Sequence, residues 1–315
     1  MKRTMIKYLI FSSIFLMSVF ATAQQDPQFT HYMYNMNVIN PAYATDSEGV
    51  LNVGGLYRTQ WVGAVGAPKT ATVFAHAPIA KRVEMGLSFI NDNIGDVVKE
   101  NNIYVDFAYV IPVSDQSKLS FGVKGGLTLF DTNFNNFQYT DQALDPAFAN
   151  NISRTFPNVG AGAYYFSGNY YLGISVPNLL TTKHIERNDG IQTSGVEAIH
   201  YFFTGGYVFD LSPTLKFKPA FMAKGVSGAP MAFDITTNFL INERIELGAG
   251  YRFDDSVSGL VNFYITPTLR IGYSYDYTLT NLGNYNSGTH EIFLLFDIDF
   301  SGMSGKGYDK SPRFF

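Results

Sequence analysis

The chain of 315 residues contains no cysteine. That excludes disulfides, thiolate nucleophiles and thiolate metal sites. Charge is also scarce, at 15% of residues, against ~25% in soluble globular proteins. Coiled coils and disordered chains need far more charge and are excluded. The glycines follow no three-residue period, so the chain is not collagen-like. A formal net charge of −4 argues against a basic face for nucleic acid, so no such partner is expected. The 5 histidines, His31, His76, His184, His200 and His290, form neither a His-x-x-x-His pair nor a Glu-x-x-His helix motif, His200 lying on an expected strand, so no zinc site is expected. There is no G-x-S-x-G elbow. The composition therefore points to a non-enzymatic protein with no cofactor. Past the first two dozen residues, no apolar run approaches the ~18 residues of a transmembrane helix.

Aromatics are plentiful: 21 Tyr and 28 Phe stand beside a single Trp, and Gly numbers 29. Such a chain suits a sheet whose outer surface need not meet water. The N-terminus reads as a secretory leader. Lys2, Arg3 and Lys7 form a basic head, Tyr8 to Phe20 an apolar stretch, and Ala21-Thr22-Ala23 a small-x-small cleavage site. Cleavage is expected between Ala23 and Gln24, leaving residues 1–23 behind. The apolar stretch, about thirteen residues, is too short for the ~20 a bilayer span needs. An exported chain without an apolar helix enters a membrane only as a closed barrel.

From Val50 onward the dominant signal is alternation. Ile103, Val105, Phe107, Tyr109 and Ile111 share one face; Tyr104, Asp106, Ala108 and Val110 share the other. Period two means strands with two unlike faces. The minor face mixes Gly, Ser, Thr and charges, which suits a polar lumen with lipid outside. We expect an all-β fold: one closed antiparallel transmembrane β-barrel of about fourteen strands over residues 50–300. Connections after even-numbered strands are tight, among them Ala80-Lys81-Arg82, Ser212-Pro213-Thr214 and Asn242-Glu243-Arg244. Those after odd-numbered strands are longer, above all Asp131–Arg154 and Asn178–Ala198. Short periplasmic turns and long extracellular loops mark an outer-membrane barrel. A soluble all-β protein of two domains would also alternate, but no linker divides this chain.

Several side chains stand out. Asp106, Lys124, Lys216, Lys218, Lys224, Asp234, Arg270, Asp276, Glu291 and Asp297 fall on the inward face. Both signs occur in similar number, which suits pairing across a lumen better than an ion-selective pore. Fourteen strands enclose more space than side chains readily fill. The candidate plug is the N-terminal lead-in, residues 24–49, placed at the periplasmic mouth, or the loop Asp131–Arg154. Asp92, Asp96, Asp254 and Asp255 read as outer-loop residues without Ca²⁺-loop spacing. Arg58 and Trp61, at the outer end of the first strand, are candidate partner contacts, because Arg and Trp dominate interface hot spots. Trp61 also suits an interfacial anchor.

The lead-in reads Asp26-Pro27-Gln28-Phe29-Thr30-His31-Tyr32-Met33-Tyr34-Asn35, then Asn40-Pro41-Ala42-Tyr43-Ala44. Further blocks are Tyr57-Arg58-Thr59-Gln60-Trp61, Asn91-Asp92-Asn93-Ile94-Gly95, Gly173-Ile174-Ser175-Val176-Pro177-Asn178 and Gly272-Tyr273-Ser274-Tyr275-Asp276. Together and in this order they resemble the PorP/SprF family of type IX secretion system membrane proteins. One departure is Thr45-Asp46, where many members carry Gly-Ser; residues 301–315 hold no motif of the family. The resemblance implies an outer-membrane barrel of the gliding and secretion machinery. It implies contacts with outer-membrane lipids, a periplasmic ring lipoprotein and a peptidoglycan-binding adaptor. It also implies a secreted adhesin or other cargo with a type B C-terminal domain, received or anchored at the cell surface. The competing expectation is a channel for small hydrophobic or polar solutes.

Overall fold

A computed structural model describes residues 27–45, 49–95, 97–134, 151–180, 198–226 and 230–299. The expected cleavage site at Ala23 and Gln24, and residues 301–315, lie outside them. So does most of the loop Asp131–Arg154 offered as a plug.

The strand segments are β1 (Val50–Thr59), β2 (Lys69–Ala80), β3 (Val83–Ile94), β4 (Val98–Pro112), β5 (Ser117–Thr132) and β6 (Ser153–Ser167). They continue as β7 (Tyr170–Val176), β8 (His200–Tyr207), β9 (Phe209–Ser212), β10 (Leu215–Val226) and β11 (Ala232–Ile241). The last are β12 (Ile245–Arg252), β13 (Ser256–Thr266), β14 (Leu269–Thr278) and β15 (Thr289–Asp299). Each neighbour pairs antiparallel, and β15 returns to β1 with Val50 opposite Asp299 and Thr59 opposite His290. The sheet is therefore closed. The 15 segments make fourteen staves, because β8 and β9 both lie along β10 as halves of one stave. The sequence predicts one unbroken strand there. The break comes on the β10 side, between the pairs Gly206–Ala220 and Phe209–Phe217, where Pro219 has no N–H to give the ladder; on the other side the Val208 N–H still reaches the Asn169 carbonyl at 2.7 Å, in register with β7.

Alternation has the physical meaning expected. On β4, Ile103, Val105, Phe107 and Tyr109 are all exposed on the outer wall, while Tyr104, Asp106 and Ala108 are buried inside. An apolar outer wall of this kind is stable only in lipid. Tight turns cluster at one end of the barrel, at 81–82, 168–169, 213–214 and 267–268. The opposite end carries the connections 60–68, 133–152, 177–199 and 279–288, though 95–97 and 253–255 are short there too. The tight-turn end faces the periplasm in outer-membrane barrels and the loop end faces outward.

The lumen differs from the polar space expected. Leu56, Phe74, Tyr164, Tyr171, Phe293 and Leu295 all point inward and are buried. They form one apolar cluster with Phe29, Tyr32, Met33, Tyr34, Met36, Ile39 and Tyr43. The aromatic lead-in is itself the core of the barrel, and its apolar side chains require apolar wall residues opposite them.

Candidate functional site: the occupied lumen

The segment 27–45 runs down the inside of the barrel from the loop end to the tight-turn end. Near its start, Thr30 and His31 sit beside Arg58, Asp276 and Glu291, close to the loop-side ends of β1, β14 and β15. At its finish, the backbone N–H of Thr45 donates to the Glu84 carboxylate at 2.8 Å, next to the turn that opens β3. The segment is thus a plug filling the lumen lengthwise, rather than a lead-in lodged at the periplasmic mouth. Its only regular structure is a 3-10 turn at Tyr32–Tyr34 and one α-turn at Met36–Ile39.

The outer anchor of the plug is a cluster of charges. The Arg58 guanidinium donates to Glu291 Oε2 at 3.0 Å and to Asp276 Oδ2 at 2.9 Å, and so bridges β1 to β14 and β15. Thr30 Oγ1 donates to Asp276 at 2.8 Å and accepts from Arg58 at 3.1 Å. The backbone N–H groups of Thr30 and His31 donate to the two oxygens of Glu291 at 3.0 and 2.7 Å. The His31 ring closes the cluster, with Nδ1 2.9 Å from Glu291 and Nε2 3.0 Å from the Asn262 amide oxygen. Arg58, Asp276 and Glu291 are almost wholly buried. Buried charges persist only when paired and hydrogen-bonded, as here.

The middle of the plug is held by single contacts. The Tyr34 hydroxyl donates to Glu246, and the Tyr34 ring stacks on Phe293 with centroids 4.4 Å apart. Lys124 Nζ donates to the carbonyl of Val38 at 2.7 Å, and Ser175 Oγ donates to that of Ile39 at 2.8 Å. These carbonyls end the short helix and have no partner within it. Below them, Asn40 makes the turn expected of an Asn-Pro pair, its Oδ1 accepting the Ala42 N–H at 2.9 Å. The wall is hollowed to receive this turn. A Cβ at Gly122 would lie 2.2 Å from the Pro41 carbonyl oxygen, and one at Gly162 2.2 Å from Asn40 Oδ1.

Three further inward ion pairs are buried in the wall. Lys124 stands 3.6 Å from Asp106, and Arg270 Nη2 2.9 Å from Asp297. Asp234 is clasped by Arg252 at 2.9 and 3.1 Å, with Asp255 on the other side of the guanidinium. Lys218 lies over the Tyr34 ring, 5.8 Å from its centroid. Lys224 lines the outer lumen. Lys216 is not deep: it sits at the tight-turn rim near Asp210, at 3.9 Å, and is partly exposed.

Two expectations are corrected. Arg58 is not presented to a partner; it faces the lumen, 3% exposed, because parity along β1 puts it with Asn52 and Leu56. Asp92 is no loop residue; it is buried on β3 and accepts from Thr70 Oγ1 at 2.6 Å. Glu84, Glu246 and Arg252 were missed, although each shares the inward parity of its strand. The anchors Thr30, His31 and Tyr34 carried no alternating signal at all. Trp61 does lie outside, half-buried in the 60–68 loop at φ 47. That loop is fixed to its neighbours: Val62 and the 287–288 backbone exchange hydrogen bonds of 2.8 and 2.7 Å, and the Gly95 N–H reaches Gly66 at 3.0 Å.

The sequence profile of the type IX secretion system membrane protein PorP/SprF matches residues 21–296. The chain belongs to the PorP/SprF family. No protein of curated function matches it in sequence. Among solved structures, a Pseudomonas aeruginosa FadL homologue superposes with a TM-score of 0.50 at 12% identity, over 89% of this chain and 96% of that one. Omp33 of Acinetobacter baumannii gives 0.46 at 11% identity, over 81% and 100%. The Ralstonia pickettii toluene transporter TbuX gives 0.47 at 12%, over 84% and 93%. At 12% identity the likeness to the FadL homologue is one of fold alone. A PorP/SprF member with this closed, apolar-walled barrel is an outer-membrane protein.

Proposed function

We propose that this PorP/SprF member is a non-enzymatic barrel of the type IX secretion and gliding machinery that works through its two faces. At the loop face it receives or anchors secreted proteins with type B C-terminal signals. At the tight-turn face it contacts the periplasmic ring lipoprotein and the peptidoglycan-binding adaptor. The observation that carries this reading is the lumen, occupied along its length by the chain's own residues 27–45 and tied by buried ion pairs. A barrel filled in this way has its surfaces, rather than a passage, available for work. The loop face offers Trp61 on a loop pinned by backbone bonds. The turn face offers the exposed pairs Lys81-Arg82 and Glu243-Arg244.

The test is affinity purification of the tagged protein from solubilised outer membranes, read by mass spectrometry. Recovery of a large adhesin with a type B domain supports the cargo role. Recovery of ring and adaptor proteins supports the coupling role. A barrel recovered alone, which then conducts in a planar bilayer, overturns the reading in favour of a solute channel.

A further inference from the structure

The outer wall changes character at its loop-side edge on β2 to β5. There the register sets Lys69 opposite Asn93, Asn93 opposite Lys99, and Lys99 opposite Asp131. The next outward row down holds Asn91 opposite Asn101, and Asn101 opposite Leu129. Below it stand Phe89, Ile103 and Leu127, all exposed on the lipid side. These positions share the outward parity of their strands, since the alternate residues Thr70, Asp92, Asn102 and Phe130 are buried inside. The wall thus grades from cations to amides to hydrocarbon within three rows.

The apolar outer wall of β5 runs from Leu119 to Leu129. At ~3.3 Å per residue and a tilt of ~40° that length spans about 25 Å, the height of the apolar band of an outer-membrane barrel. Leu129 therefore marks the edge of the band. Asn91 and Asn101 stand at its level, and Lys69 and Lys99 lie just beyond it, at the depth of lipid headgroups. Elsewhere on that edge tyrosines take outward positions, Tyr201, Tyr251 and Tyr277 among them, as an aromatic belt does.

The amides are held side by side. Asn93 Nδ2 donates to Asn91 Oδ1 at 2.7 Å, and Asn91 Nδ2 donates to Asn101 Oδ1 at 2.7 Å. Amides both donate and accept, as sugar hydroxyls do. Lys69 and Lys99 are two strands apart, about 10 Å between backbones, a gap that one phosphate spans between two long ammonium side chains. The register neighbours of Lys69, Thr59 and Asn93, carry no charge; Asp131 bounds the patch on the far side of Lys99.

We propose that this patch binds a phosphorylated glycolipid of the outer leaflet, with a phosphate between Lys69 and Lys99, a sugar against Asn91 and Asn101, and acyl chains along Phe89 and Ile103. Charge complementarity selects the phosphate, and the amide row selects a sugar over a simple diacyl phospholipid. The proposal is independent of the secretion role and survives its failure.

The experiment titrates the full barrel in detergent micelles with lipid and counts bound lipids by native mass spectrometry. Three probes are compared: bisphosphorylated lipid A, the same lipid dephosphorylated, and phosphatidylglycerol. Lipid A is expected to bind saturably and about tenfold tighter than either of the others. Lys69→Gln combined with Lys99→Gln is expected to abolish the preference for the phosphorylated form. Asn91→Leu combined with Asn101→Leu is expected to weaken lipid A and leave phosphatidylglycerol unchanged. Lys216→Gln, at the tight-turn rim, is expected to behave as the parent, and every variant is checked for the heat-resistant band of a folded barrel. Equal binding of the phosphorylated and dephosphorylated lipid, phosphatidylglycerol as tight as lipid A, or an undiminished preference in the double lysine variant overturns the proposal.

Discussion

Arg58 and Glu291 meet at 3.0 Å inside the barrel, and both also hold Thr30 of the plug. The contact joins the first strand to the last and ties residues far apart in sequence to the same point. It is a wall contact and a plug contact at once.

Breaking this cluster from one side leaves a buried charge without its counterpart, at a cost of ~3–5 kcal/mol. Arg58→Met, which leaves Asp276 and Glu291 together without their cation, is expected to lower the barrel's resistance to urea in lipid by about that amount. The triple variant Arg58→Met, Asp276→Asn, Glu291→Gln is expected to lose less, because no charge of the Arg58 pairs is then stranded. Unfolding midpoints followed by the gel shift of the folded barrel decide it. A triple variant weaker than Arg58→Met contradicts the assignment.

Gly122 is where the wall yields to Pro41, the new Cβ of any substitution lying 2.2 Å from a backbone oxygen. Gly122→Val is expected to unseat the plug at an overpacking cost of ~1–3 kcal/mol, with the barrel itself intact. Planar-bilayer recordings check this. The parent should be silent and the variant should show current steps; silence in both would mean that the lumen stays closed without the turn at Asn40.

Trp61 lies on a loop held by backbone bonds at Val62 and Gly66. Trp61→Ala is expected to leave barrel stability within ~0.5 kcal/mol, the range of ordinary surface changes. If the loop face receives cargo, recovery of the secreted partner should fall by about tenfold, the size of a hot-spot loss. Unchanged recovery would return Trp61 to the role of a membrane anchor.

Lys81, Arg82 and Arg244 are exposed at the tight-turn end. Reversing all three to Glu is expected to weaken copurification of the ring components and leave cargo recovery unchanged. Contacts between exposed charges are screened by salt, so the parent's ring recovery should also fall in high-salt buffer. Salt-insensitive recovery would place the ring contact elsewhere.

Much of the wall was legible because alternation is a property of neighbouring residues. Ile103 to Ile111 declare one face outward with no knowledge of the fold. The same parity marks Arg58, Glu84, Glu246 and Arg252 as inward, and applying it without exception would have found all four. The pairings across the lumen were less accessible. Asp234 meets Arg252 because β11 and β12 are neighbours in register, but Lys218 meets the ring of Tyr34 only because the plug passes there. The plug itself escaped periodicity. Thr30, His31 and Tyr34 take their positions from the walls around them, and a segment of single turns has no period to display. Phe293, read as a strand residue, gave no sign that the ring of Tyr34 would be stacked against it.

The plug also sets an order of events in assembly. Its upper contacts, Asp276, Glu291 and Phe293, stand on the last two strands, and Thr30 is separated from Glu291 by 261 positions. Contacts so distant in sequence form late, after long loops have closed. The first residues of the chain therefore find their berth only when the final strand has arrived and the seam between β1 and β15 is ready to shut. A chain cut short of β15 has nowhere to lodge them, so the finished plug is a record that the whole barrel was made.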